Sequence, residues 1–136
     1  MDPRVVEQKL ETLRYCVHRV NQRCPATPEE LAQDPDTQDI IALNLSRAVQ
    51  QCVGIGAHLI TSLDLPPPKT MGETFDRLVE GSIIDKTLAE RLKKAVGFRN
   101  IAVHNYEQID WDITRSVCSR HLEDFRAFAR AVSDRI

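Results

Sequence analysis

The side chains best suited to chemistry gather in one stretch, Gly97-Phe98-Arg99-Asn100-Ile101-Ala102-Val103-His104-Asn105-Tyr106. Arg99, Asn100, His104 and Tyr106 fall within eight residues, interleaved with apolar Ile101, Ala102 and Val103. An imidazole takes and returns protons near neutral pH, and a guanidinium holds phosphoryl oxygens as charge builds on them. Together they meet the needs of metal-free RNA cleavage: a base for the 2′-hydroxyl and a fixed cation for the phosphate. On a helix Asn100 and His104 are four apart and share a face. Arg99 and His104 are five apart, so at ~100° per residue they are turned about 140° from each other. A helix end near His104, or a second copy of the chain, would close that geometry. The structural alternative is a histidine packed under Trp111 at a helix end, with Arg99 a solvated cation.

Other constellations are weaker. His58 sits among apolar neighbours and reads as a core histidine. Cys118 and His121, three apart, could ligate a metal, but no two further ligands stand at metal spacing. A buried thiol beside a surface imidazole is the better reading. There is no Ser-His-Asp arrangement and no phosphate loop, because Gly54 and Gly56 fall inside a helical pattern and suit close helix packing.

The motif needs a scaffold, and the punctuation marks helices. Asp2-Pro3 is an N-cap followed by a first-turn proline. Val6, Leu10, Leu13, Val17 and Val20 then form one apolar stripe, which Cys24-Pro25 should end. Thr27-Pro28-Glu29-Glu30 is a capping box opening a short helix that Asp34-Pro35 stops. The longest element is expected to start at Asp36. Its stripe is Ile41, Leu45, Ala48, Cys52, Ile55 and Leu59, widened by Ile40, Val49, Val53 and Ile60, which predicts a central position. It must finish before Pro66-Pro67-Pro68. Thr70-Met71-Gly72-Glu73 is a second capping box, with Phe75, Leu78 and Val79 following and Gly81 as the expected stop. Ile84, Leu88, Leu92 and Ala95 carry a helix toward Gly97. A last one begins around Asp110 to Asp112, with Ile113, Val117, Phe125, Phe128 and Val132 expected inward. No segment alternates like a strand. The expected fold is all-α: an antiparallel helical bundle of about four long helices plus a short one. Ile40 and Val49, which one antiparallel neighbour cannot cover, suggest a dimer.

Composition narrows the function. The chain has 136 residues, one domain's worth, with 42% hydrophobic and 28% charged side chains, so it can bury a core and is not disordered. No apolar run approaches a membrane span, and the charged N-terminus is unlike a signal peptide. No membrane contact is expected. The four cysteines (Cys16, Cys24, Cys52 and Cys118) form no regular framework and read as reduced thiols in a cytoplasmic protein. A net charge of −2 argues against a basic nucleic-acid coat, so phosphate binding must come from a local patch and no DNA partner is expected. Residues 27–40 hold five acids and no base; residues 86–104 hold five bases and one acid, leading directly into the motif.

The string from Arg99 to Tyr106, R-N-x-x-V-H-x-Y, resembles the R-x4-H-x-Y signature of the HepT family in the HEPN superfamily. Gly97-Phe98, the run Leu43-Asn44-Leu45-Ser46-Arg47-Ala48 and Ala57-His58-Leu59-Ile60 are also similar to family helices, so the likeness covers nearly the whole chain. It implies one HEPN-like helical domain over 1–136, a homodimer, and a ribonuclease toxin acting on RNA with no metal or other cofactor. It implies Arg99 and His104 as catalytic, Asn100 as a supporting polar group and Tyr106 as the acceptor of AMP. The implied partner is a minimal nucleotidyltransferase antitoxin. Many relatives carry an acid on the second long helix where this chain reads Val53-Gly54-Ile55. The competing expectation is a non-catalytic helical adaptor that binds and regulates a nucleotidyltransferase or a nucleotide.

Overall fold

Each capping signal in the sequence becomes a helix boundary in the computed structural model, which describes residues 2–136. The Asp2 carboxylate accepts the Arg4 N–H at 3.0 Å and opens α1 (Pro3–Arg23). Thr27 accepts the Glu30 N–H and starts the one-turn α2 (Pro28–Ala32). The long α3 (Pro35–Ser62) is capped by Asp34, two residues before the expected start at Asp36. Asp34 accepts both the N–H (3.2 Å) and the hydroxyl (2.6 Å) of Thr37, and these bonds hold its carboxyl below the usual carboxylate range. Thr70 caps α4 (Met71–Glu80), and Asp85 caps α5 (Lys86–His104) by accepting the Leu88 N–H at 2.7 Å. After a 3₁₀ turn at Tyr106–Gln108 come α6 (Trp111–Ser116), a π turn (Val117–His121) and α7 (Leu122–Ser133). With α6 and α7 counted as one rod, four long helices form the all-α bundle, α2 is the short one, and α4 adds ten residues.

Packing follows the stripes. All five stripe residues of α1 are buried, as are Ile41, Leu45, Ala48, Cys52, Ile55 and Leu59 of α3. Each buried aliphatic side chain contributes about 1.5–3 kcal/mol. The α3 helix packs against α1, α2, α4, α5 and α7, which is the central place its wide apolar girth requires. Gly56 lets α4 close in: a Cβ there would come within 2.4 Å of Thr74 Cγ2. Gly54 does not serve this purpose, since a Cβ there would meet only the Lys9 side chain at ordinary contact distance.

One expectation about a helix end is met and two about burial are corrected. The stop expected at Gly81 is met, with Gly81 the C-cap of α4 (φ −81°), and the left-handed residue just past it is Ser82 (φ 59°). There the Ile83 N–H reaches Leu78 O and the Ser82 N–H reaches Val79 O, a Schellman closure that Asp64 (φ 58°) repeats after α3. Ile113 faces solvent at 61% exposure; the inward line of α6 runs through Thr114 and Cys118. Thr114 tolerates burial because its hydroxyl donates to Asp110 O at 2.8 Å. Val49 is buried within its own chain and Ile40 is half-buried, so neither argues for a dimer. All four cysteines are free thiols; burial, with Cys24 adjacent, pushes Cys118 up to about 12. Among the described residues no helix is long and apolar enough to cross a membrane.

Candidate active site

The α5 helix runs unbroken through Gly97, where a Cβ would meet nothing within 4 Å, and ends at His104. Asn105 leaves helical geometry (φ −151°, ψ 53°) while its N–H still donates to Ile101 O at 2.8 Å. That abrupt end places His104 on the last turn and Tyr106 on the first residue of the following 3₁₀ turn. Arg99 is half-buried, whereas Asn100 and His104 are exposed. The Arg99 guanidinium donates to Asn100 Oδ1 at 3.2 Å, and among the described residues it pairs with no carboxylate. Asn100 thus steadies the arginine without neutralising it.

Tyr106 is held from two sides. Its ring meets Trp111 edge-on, with centroids 5.9 Å apart, so Trp111 packs on the tyrosine. Its hydroxyl donates to Asp39 Oδ1 near the start of α3. Burial, the hydrogen bond and the Asp39 charge together raise the phenol above the usual tyrosine value. The hydroxyl therefore answers to Asp39 rather than to Arg99, its neighbour in the motif. Asp39 itself is a residue that motif spacing misses: it lies 67 residues away, and its only trace in the sequence is membership of the acidic stretch 27–40. It also supplies an acid on α3 at the motif, about four turns before Val53-Gly54-Ile55.

The surface around the motif is apolar. Ile101 (43% exposed) and Val103 (51%) alternate with the polar motif residues, and Leu43 (58%) stands one turn along α3 from Asp39. Between α5 and α6 lies a groove of about 600 Å³ lined by Leu45, Val49, Phe98, Ile101, Ile113 and Phe125. Of the weaker candidates, Cys118 is buried and His121 exposed, as expected, whereas His58 is half-buried rather than a core histidine. Among the described residues no three His, Cys, Asp or Glu side chains gather as a metal-binding group.

A family description, "Ribonuclease HepT-like", matches residues 13–132. The chain is 35% identical over 124 residues to an mRNA nuclease HepT of Shewanella oneidensis, covering 91% of this chain and 92% of that one. It is 22% identical to a tRNA nuclease HepT of Aphanizomenon flos-aquae, over 98% of this chain and 90% of the other. Among solved structures, a tri-AMPylated Shewanella oneidensis HEPN toxin in complex with MNT antitoxin superimposes with a TM-score of 0.90. That likeness comes at 33% identity and covers 98% of this chain and 99% of the toxin.

Proposed function

Since the chain belongs to the ribonuclease HepT-like family, we propose that it is the endoribonuclease toxin of a toxin–antitoxin pair and cuts RNA without a metal, through Arg99 and His104. The observation that carries this reading is the state of Arg99. On the same unbroken helix as the exposed His104, five residues before it, stands a guanidinium steadied by Asn100 and paired with no carboxylate among the described residues. A cation left uncompensated there is one available to a phosphate.

The substrate's 2′-hydroxyl gives its proton to an imidazole, and its oxygen attacks the adjacent phosphorus. The bond from phosphorus to the 5′-oxygen breaks, and that oxygen takes a proton from a second acid. The charge on the phosphoryl oxygens is met by Arg99. One motif holds one histidine, so the acid and the base come from two copies of His104 facing one phosphate across a two-fold axis. The exposed apolar side chains of Leu43, Ile101 and Val103 around the motif support a partner on this side of the chain. The products are a 2′,3′-cyclic phosphate and a 5′-hydroxyl.

The antitoxin of this pair is a minimal nucleotidyltransferase, and Tyr106 is the residue that accepts AMP. The phenol oxygen attacks the α-phosphorus of a nucleoside triphosphate, pyrophosphate leaves, and the phenol proton passes to Asp39, its hydrogen-bond acceptor. The bound phosphodiester then stands two residues from His104, where its charge and bulk exclude RNA.

The test is cleavage of mRNA and tRNA in EDTA, with end-group analysis and with mixed dimers carrying one His104→Ala chain. Cyclic phosphate ends and loss of per-dimer activity in the mixed species are expected. Free 3′-hydroxyl ends would point to a water nucleophile. Persistent wild-type inactivity would leave the chain a regulatory adaptor.

A further inference from the structure

The motif alone gives RNA little to hold in a chain of net charge −2, yet one other place concentrates cations. Where α1 packs on α7, a cleft of about 350 Å³ opens over Leu13, Val17, Phe125 and Ala129, all buried. Arg14 and His18, four apart on α1, form one wall; Arg126 and Arg130, four apart on α7, form the other. Among the described residues the carboxylate paired with these arginines is Glu123, which accepts from Arg130 and lies 3.9 Å from Arg126. Those two arginines hold its carboxyl below the usual range, so it stays ionised and offsets one of the three guanidinium charges. Among the described residues Arg14 donates only to the neutral Ser133 hydroxyl, at 3.0 Å. Glu11 and Asp134, one turn away along each helix, pair with none of these arginines among the described residues. The cleft thus keeps a net positive rim above an apolar floor.

From this geometry we infer that the α1–α7 cleft binds the sugar-phosphate backbone of single-stranded RNA away from the scissile bond. A rim of guanidinium groups matches phosphodiester oxygens, and the apolar floor accepts the faces of a sugar or base. The inference rests on the reading of the chain as a ribonuclease and adds an anchoring surface to it. Arg130 is tied to Glu123, so Arg14 and Arg126 are the principal phosphate ligands. Because they grip the backbone, they lend affinity without reading sequence.

The experiment uses the full chain carrying His104→Ala, so that a fluorescent single-stranded RNA survives, and follows anisotropy across a salt series. Adding Arg14→Gln and Arg126→Gln should weaken binding at least severalfold. It should also flatten the dependence of log affinity on log salt by about 0.7 for each phosphate the protein no longer neutralises. A reference protein with the same charge change elsewhere, Arg4→Gln with Lys69→Gln, should differ far less from its parent. Circular dichroism melting confirms that both variants are folded, as expected for changes to exposed arginines. In the chain with His104 intact, cutting of a dinucleotide too short to reach the cleft should be unchanged by the cleft pair. Unchanged affinity and slope overturn the proposal and leave the cleft to an acidic protein surface. Equal weakening in the reference protein overturns it too, since general charge would then suffice. A wild type that cuts no RNA would instead remove the ribonuclease reading, while the binding comparison still decides the cleft.

Discussion

The two halves of α5 obey different rules. In the first half, Asp85 caps the helix and Ala89, Leu92 and Val96 are buried. Two of its four cations there are answered: Lys93 meets Asp76 at 3.2 Å and Arg91 meets Asp124 at 3.4 Å. In the second half no residue from Gly97 to His104 is fully buried, Ile101 and Val103 face outward, and Arg99 pairs with no carboxylate among the described residues. One continuous helix therefore commits its first half more fully to the fold than its second. Helix propensity, capping and burial explain the first half; in the proposed function a ligand or partner explains the second.

That division can be broken or sharpened by substitution. A large effect belongs to Arg99→Gln. Loss of one stabilising donor to the transition state is expected to slow RNA cutting about 10²–10³-fold while the melting curve barely moves. Leu92→Ala should do the reverse, costing about 2–5 kcal/mol in urea unfolding because a fully buried side chain leaves a cavity, with cutting by the folded fraction intact. Asp85→Ala removes the cap and should cost about 1 kcal/mol by the same measurement. The smallest effect is on Asp39→Asn. Removing the acceptor charge should lower the Tyr106 phenol back toward the ordinary ~10, read by ultraviolet absorbance against pH, with stability nearly unchanged. In the wild type the same titration should place the phenolate above that value, since burial and Asp39 both disfavour it. An unshifted titration in both proteins would detach Asp39 from Tyr106.

Much of what builds the fold is written locally and can be read. Asp2-Pro3, Thr27-Pro28 and Thr70 announce helices because a cap acts within three residues of its own position. The stripes of α1 and α3 are legible because burial repeats with the helical period. Ser82 is not legible, since a serine in left-handed geometry carries no local mark and Gly81 beside it offers the expected residue. The phase of α6 misleads for a related reason: Thr114 and Cys118, which face inward, are small or polar, and apolar Ile113 draws the stripe to itself. The motif residues Arg99, Asn100, His104 and Tyr106 stand out by type and spacing. Asp39 does not, because a hydrogen bond across 67 residues has no periodicity to betray it. The positive cleft is equally hidden: Arg14 and His18 become neighbours of Arg126 and Arg130 only when α1 packs on α7.

The central claim is that the end of α5 is built for chemistry rather than for stability. It is tested most directly by measuring urea unfolding and RNA cutting in EDTA on the same preparation of His104→Ala. The expected unfolding free energy lies within about 0.5 kcal/mol of wild type, as for an exposed side chain. Cutting is expected to slow by about 10²–10⁴-fold, as for a lost general acid or base. Undiminished cutting, or a loss of cutting fully accounted for by unfolding, would contradict it.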